Sequence, residues 1–135
     1  MFLKGIGFIA LISLALIGFR GGASSILPAV MKPERKVAAE ISAYCPCSKC
    51  CGPFADRRTA VNWSAWNQTG VAADFDLIPK GTKIDIPGLG TRIVDDTGPW
   101  VRKFGPRGEI RLCVRFLTHK EAVEWGKKTL PVTIH

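Results

Sequence analysis

The sequence lacks most of the motifs that identify common enzyme classes. No serine stands in a G-x-S-x-G context and no phosphate-binding loop occurs, which argues against a hydrolase elbow or a nucleotide site. The net charge of +8 favours an anionic partner, but the basic residues are scattered and no nucleic-acid-binding motif accompanies them. We therefore expect a monomer that binds neither nucleic acid nor a cofactor, with a cell-wall polymer or a membrane surface as its partner.

The sequence also lacks an apolar run long enough for a typical membrane-spanning helix. Residues 5–19 carry no charge, but a spanning helix needs about 20 apolar residues. A basic start, a short apolar stretch and small residues are typical of a secretory signal, although no A-x-A cleavage site follows. We interpret residues 1–24 as a signal peptide or N-terminal membrane anchor. The protein is then exported to the periplasm, outer membrane or cell wall, with residues 25–36 as a linker and residues 37–135 as one domain.

Four of the five cysteines fall within the segment YCPCSKCCG, residues 44–52: Cys45, Cys47, Cys50 and Cys51. Structural zinc sites usually draw ligands from two separated pairs, and no second pair follows here. In an exported protein such spacing is more often that of disulfides. We predict disulfides among these cysteines, or with Cys113, and no metal; a zinc site and free thiols remain the alternatives. His119 and His135 have no nucleophile or ligand pattern around them and are expected to be solvated.

Short strands broken by Gly, Pro and Asp predict a mainly β fold. Thr82–Ile86 alternates polar and apolar residues, as a strand with one wet face should. Thr118 and Glu121 form a capping box at the start of one helix. The segments predicted as strands are Val37–Tyr44, Gly70–Ala73, Thr82–Ile86, Thr91–Asp95, Glu109–Phe116 and Leu130–Ile134. Six short strands with one or two short helices indicate a small β-barrel.

Acidic residues stand at the ends of two predicted strands. Asp74 ends one, and Asp95 and Asp96 end another, each leading into a Gly- or Pro-containing turn. If these side chains converge at a barrel rim, burial and like charge can raise one pKa and create a general acid. The alternative is that they are ordinary turn formers. Trp63, Trp66 and Trp100 could supply flat apolar faces for sugar rings.

Three ordered segments resemble a known family. They read AYCPCSKCCGPFADRRTA, then VAADFDLIPKGTKIDIPGLGTRIVDDTG, then RLCVRFLTHKEAVEWGKKTLPVTI, and together they run from about residue 40 to 135. This pattern resembles the 3D-domain proteins of bacteria, which are named for three aspartates and are related to the C-terminal part of MltA-type lytic transglycosylases. The resemblance implies a six-stranded double-psi β-barrel that acts on peptidoglycan. Such enzymes cleave the glycan strand without water and leave a 1,6-anhydro sugar.

The resemblance assigns the three acidic positions to Asp74, Asp96 and Cys113, where the expected third aspartate is replaced. A thiol is a weak acid and a weak hydrogen-bond partner, so this departure affects the catalytic site itself. Three outcomes follow: Asp96 or Asp74 carries the acid role, Glu109 reaches in from the preceding loop, or the barrel binds glycan without cleaving it. The remaining predicted substrate-binding residues are Thr59, Asp95, Trp100, Arg102 and Lys103.

Overall fold

The computed structural model describes residues 32–135 of the chain. The predicted leader, with its anchoring stretch at residues 5–19, lies outside the described residues, and so do residues 25–31 of the predicted linker. The first strand begins at Arg35, slightly before the predicted domain boundary at residue 37. Between residues 32 and 135, no helix is both long enough and apolar enough to cross a bilayer.

Six strands in the described part of the chain close into a mixed β-barrel, which confirms the predicted barrel. The strands are β1 (Arg35–Tyr44), β2 (Gly70–Ala72), β3 (Lys83–Ile86), β4 (Gly90–Asp96), β5 (Arg111–Arg115) and β6 (Lys128–Ile134). Around the barrel their order is β1-β5-β2-β4-β3-β6, and β6 closes the ring on β1. Each predicted strand overlaps one of these six.

Two of the six strand pairs are parallel. β1 pairs with β5, and β2 pairs with β4, in parallel register, whereas all other neighbours are antiparallel. Parallel neighbours end at the same edge of a sheet, so the segments that follow β1 and β5 leave the barrel side by side. The backbone amide of Phe116 donates to the Tyr44 carbonyl at 2.9 Å and extends this parallel pairing beyond β5.

Every strand contributes aliphatic side chains to one core. The predicted alternation in β3 is observed, since Ile84 and Ile86 are buried while Lys83 is exposed. In β5 the same period buries Leu112 and Val114 and turns Cys113 and Arg115 to the opposite face. The outer face of β2 and β5 is therefore available for polar groups.

Within the described range three short α-helices accompany the barrel: α1 (Ser48–Cys51), α2 (Pro99–Arg102) and α3 (His119–Trp125). The capping box predicted for α3 is present, with the Glu121 amide donating to Thr118 Oγ1 at 3.2 Å and the Thr118 amide donating to Glu121 Oε2 at 3.0 Å. The other two helices are single turns without a strong sequence signal, although Pro99 occupies a favoured first-turn position.

A buried ion pair joins β4 to β5 across the intervening strand β2. The side chains of Arg115 and Asp95 are each 1% exposed, and two N–H groups of the guanidinium donate to the two carboxylate oxygens at 3.0 and 2.5 Å. Gly70 of β2 lies between them, and a Cβ at this position would overlap Arg115 Nη2 and both Asp95 oxygens. A bidentate pair in this dry setting requires that β2 carry no side chain there.

Removing one member of this pair should destabilise the fold strongly. Arg115→Met leaves the Asp95 carboxylate buried without its partner, and we expect the free energy of unfolding to fall by about 3–5 kcal/mol. Urea denaturation of the full-length protein measures this. Lys120→Met is the matched control, because Lys120 and Glu124 are mostly exposed and 3.8 Å apart, a geometry worth about 0–1 kcal/mol. Similar losses in both variants would contradict the assigned role of the buried pair.

Candidate functional site

A cavity of about 510 Å³ lies against the outer face of the barrel. Five of the predicted catalytic and substrate-binding residues line it, namely Thr59, Asp96, Trp100, Arg102 and Cys113, and so do Cys50 and Cys51 of the cysteine segment. The remaining walls come from the loop that follows β1 and from the segment around α2. This is the place where the structure brings the sequence-predicted residues together.

Strand register places two of the three predicted catalytic positions in one row. Ala72 of β2 is the register partner of Asp96 on one side and of Cys113 on the other, and Cys113 is in turn paired with Ser42 of β1. Neighbouring strands are about 4.8 Å apart, so the backbones at positions 96 and 113 are separated by about 10 Å. Because Ala72 is small, the space above it is open to both side chains.

A register shift in the β2–β4 pair explains how two consecutive aspartates serve different partners. The pairing advances by one residue on β2 and by two on β4 between Val71 and Ala72, which makes Asp95 the extra residue of a β-bulge. The bulge allows Asp95 to reach Arg115 while Asp96, the next residue, reaches the cavity. Regular alternation would have sent one of them into the core.

The Asp96 carboxylate is held by three donors. The Tyr44 hydroxyl donates to Oδ2 at 2.7 Å, and the backbone amides of Ala60 and Thr97 each donate to Oδ1 at 2.9 Å. These donors come from β1, from the loop before β2 and from the residue after β4, so the carboxylate is fixed from three directions. Its orientation in the cavity is therefore set before any ligand arrives.

Tyr44 connects this carboxylate to the buried ion pair. Arg115 Nη1 donates to the Tyr44 oxygen at 3.0 Å, and Arg115 Nε donates to the carbonyl of Asn67 at 2.8 Å. Burial raises the pKa of Tyr44 far above its ordinary value, and the charge of Asp96 adds to this rise against the opposing charge of Arg115. Tyr44 therefore remains a neutral donor to Asp96. Sequence analysis missed both Tyr44 and Arg115, since neither belongs to a recognisable catalytic motif.

Asp95 and Asp74 lie outside the residues that line the cavity. Asp95 is closed off by Arg115, so it supports the wall instead of presenting a group to a ligand. Asp74 is 6% exposed, and its Oδ1 accepts the backbone amide of Asp76 at 3.0 Å, which is a turn-forming contact. A Cβ on Gly105 would overlap Asp74 Oδ2, so this carboxylate is covered by the backbone of the α2–β5 connection.

Four other candidates are also placed away from the cavity lining. Lys103 lies with its Nζ 5.4 Å from the ring centroid of Phe104, and Glu109 is exposed in the loop before β5. Trp63 and Trp66 are each about half exposed. Trp100, by contrast, lines the cavity, and the guanidinium of Arg111 lies 4.8 Å from its ring centroid.

The Cys113 thiol is kept neutral by its surroundings. Burial, reinforced by the neighbouring Cys50 and Asp96, raises the pKa of Cys113 to about 12. The thiol is consequently protonated throughout the neutral range. It can fill space and weakly donate a hydrogen bond, but it cannot do the acid–base work of a carboxylate.

The predicted disulfides are absent, because all five cysteines are free thiols. Cys45 and Cys47 have their sulfur atoms 2.6 Å apart, well beyond the disulfide bond length of about 2.05 Å. Burial raises the pKa of Cys45 to about 12, whereas hydrogen bonds from the Cys45 thiol and from backbone amides lower the pKa of Cys47 to about 6. The Nδ1 atom of His119, predicted to be solvated, lies 3.3 Å from the sulfur of Cys50.

Comparison with known proteins assigns no family. No protein-family model matches the sequence, and a search of curated proteins finds no significant relative.

The raised pKa of Cys113 predicts an unusual pH profile for alkylation. In the native protein, thiolate formation at position 113 should keep rising about tenfold per pH unit from pH 8 to 10.5, because the folded-state pKa is about 12. An unshifted cysteine with a pKa of about 8.5 levels off above pH 9. Iodoacetamide labelling followed by peptide mass spectrometry measures the rate.

Guanidinium-unfolded protein is the control, and there Cys113 should react about a thousandfold faster at pH 8. Because the pKa of Cys113 is higher in the folded state than in the unfolded state, the neutral thiol stabilises the fold below about pH 8.5. This contribution is lost progressively as the pH rises towards 12. A plateau above pH 9 in the native protein would contradict the neutral buried thiol.

Proposed function

We propose that this protein is an exported envelope protein that cleaves the glycan strands of peptidoglycan and belongs to the 3D-domain group. Two features support the proposal: the ordered sequence segments that resemble this group, and a closed six-stranded mixed barrel in which two strand pairs are parallel. We further infer that the barrel has the double-psi topology, for which paired parallel strands are expected. The positive charge of the chain suits an anionic wall polymer.

The observation that carries the proposal is the setting of Asp96. Its carboxylate lines a cavity large enough for sugar rings, is held by Tyr44 and two amides, and lies in the same strand row as position 113. A general acid must be oriented within hydrogen-bond reach of the atom it protonates. Among the three positions of the family pattern, Asp96 is the one that combines a carboxyl group with access to the cavity.

In the proposed reaction Asp96 acts twice. In its protonated form, the carboxyl group first gives a proton to the glycosidic oxygen as the bond from that oxygen to C1 of the muramic sugar breaks. The resulting carboxylate then takes the proton from the 6-hydroxyl of the same sugar, whose oxygen bonds to C1 and closes the 1,6-anhydro ring. The carboxyl group is regenerated and no water is consumed, so the pair of carboxylates used by hydrolases is not required.

The cavity walls supply groups suited to holding a glycan strand. Trp100 offers an aromatic face for a pyranose ring, and the guanidinium of Arg102 can pair with the carboxylates of a muramic peptide stem. The hydroxyl of Thr59 already accepts the amide of Trp63 at 3.2 Å, and its hydrogen remains able to donate to a sugar oxygen.

A second candidate is a module of the same fold that binds peptidoglycan without cleaving it. Cys113 favours this alternative, because a thiol with a pKa of about 12 cannot share acid–base work with Asp96. The enclosure of Asp74 and Asp95 favours it as well, since neither carboxylate lines the cavity. The binding module predicts co-sedimentation with insoluble peptidoglycan and no soluble product.

Digestion of purified peptidoglycan tests the choice between these functions. We expect anhydro-muramic ends, identified by mass spectrometry, from the wild-type protein, and a loss of about 10²–10⁴-fold in their rate of release from Asp96→Asn. Asp76→Asn is the control, because Asp76 is exposed and lies outside the cavity lining. Absence of anhydro products from the wild type, with binding retained, would exclude the cleavage proposal and leave the binding module.

Restoring the third aspartate separates a working site from a silenced one. If Asp96 already carries the reaction, Cys113→Asp should change the rate of anhydro-sugar release by less than about threefold. If the rate of anhydro-sugar release instead rises tenfold or more in this variant, the thiol of Cys113 silences the site and Asp96 does not carry the reaction alone. Cys51→Asp is a suitable control because it adds the same charge at another residue of the cavity lining.

A further inference from the structure

Three cysteines and one histidine form a compact cluster at the rim of the cavity, which we call the Cys3His cluster: Cys45, Cys47, Cys50 and His119. One sulfur, or ring nitrogen, from each residue lies within 4.8 Å of all the others. The sulfur of Cys50 is 3.4 Å from that of Cys45 and 3.3 Å from Nδ1 of His119. This cluster does not belong to the acidic site described above.

The cluster unites two segments that are far apart in sequence. Cys45 follows β1 directly and His119 begins α3 just after β5, and the parallel pairing of these strands delivers both segments to the same edge of the barrel. The capping box of Thr118 and Glu121 fixes the first turn of α3 and therefore the backbone position of His119. His119 thus provides a ligand from a second segment of the chain, which the four clustered cysteines alone do not.

We propose that the Cys3His cluster binds one Zn²⁺ ion in a closed tetrahedral structural site. Three thiolates and one imidazole are a standard ligand set for structural zinc, and Cys47 and Cys50 have the two-residue spacing common in such sites. Bond lengths of about 2.3 Å to sulfur and 2.0–2.1 Å to nitrogen put tetrahedral ligand atoms about 3.5–3.8 Å apart.

The observed spacings are close to that requirement. The Cys45–Cys50, Cys50–His119 and Cys47–His119 separations are 3.4, 3.3 and 3.9 Å. The two sulfur atoms of Cys45 and Cys47 are 2.6 Å apart and have to separate by about 1 Å. Rotation of the half-buried Cys47 side chain about χ1 can provide this change. The remaining two separations, Cys47–Cys50 and Cys45–His119, are at most 4.8 Å.

The surroundings of the cluster also fit a metal. The backbone amides of Cys50 and Cys51 donate to the Cys47 carbonyl at 3.2 and 2.9 Å, which fixes the turn that carries Cys47 and Cys50. Cys51 is the neighbouring thiol that the proposal excludes, because its sulfur donates to the Cys45 carbonyl at 3.3 Å. Zinc with three thiolates and a neutral imidazole carries one net negative charge, and Lys49 and Lys120 stand next to ligands in the sequence.

The ion would fix one wall of the cavity. Cys50 belongs to the cluster and Pro46 adjoins it in sequence, and both residues line the cavity. Helix α1 has no buried residue that would anchor it to the barrel. Coordination ties this loop to α3 with the free energy of metal binding, which is free energy of folding for the loop. In this proposal the metal cross-links the loop after β1, which is the role that the sequence analysis predicts for disulfides.

Zinc content and cobalt spectroscopy of the full-length protein test the proposal. Protein purified under reducing conditions with zinc present should hold one zinc per chain by elemental analysis. After chelation, added Co²⁺ should give the intense visible bands of a tetrahedral cobalt–thiolate site. Cys47→Ser and His119→Gln should weaken Co²⁺ binding by about 10–100-fold or more, whereas Cys51→Ser and His135→Gln, the matched controls, should bind as the wild type does.

Protection of the wild-type thiols gives a readout that does not depend on how the variants fold. Zinc should shield Cys45, Cys47 and Cys50 from iodoacetamide, and chelator should expose them, as mapped by peptide mass. Substoichiometric zinc, an octahedral cobalt spectrum, or unchanged Co²⁺ binding by His119→Gln would overturn the proposal. So would an intact mass two hydrogens lower with no bound metal, because that result would show a disulfide in place of the ion.

Discussion

The buried pair of Asp95 and Arg115 is the interaction on which the outer face of this barrel depends. Two opposite charges removed from water must satisfy each other and their remaining hydrogen-bonding groups. Arg115 does so by joining β4, β1 and the loop before β2 through Asp95, Tyr44 and the Asn67 carbonyl. Tyr44, which lines the cavity, is hydrogen-bonded to both Arg115 and Asp96, so the buried pair helps to orient the cavity acid through it.

Much of the barrel could be predicted from the sequence, because a strand with one wet face shows an alternation of polar and apolar residues within a few positions. Thr82–Ile86 alternates visibly, and Thr118 with Glu121 marks a helix start by hydrogen bonds made within one turn. The single-turn helices α1 and α2 show no such pattern in the sequence, because four residues are too few for a helical periodicity. Strand order and the parallel pairs depend on contacts between distant residues, which no local pattern encodes.

The candidate site was only partly predictable for the same reason. Asp96 was identified by its position before a turn and by a family resemblance, but its neighbour Asp95 has a structural role that depends on a β-bulge. Asp74 looked equivalent to Asp96 in sequence and is instead covered by backbone at Gly105. The sequence predicts a solvated His119, because its partners lie about seventy positions away and meet it only through the β1–β5 pairing.

Asp96, held by Tyr44, is the group that we propose meets the glycan. The most direct measurement is a crystal structure of the protein with a short oligomer of alternating GlcNAc and MurNAc. We predict a glycosidic oxygen about 3 Å from an Asp96 carboxylate oxygen, with a sugar ring against Trp100. A glycan bound elsewhere on the barrel, with the Asp96 carboxylate out of reach of any glycosidic oxygen, would contradict the account.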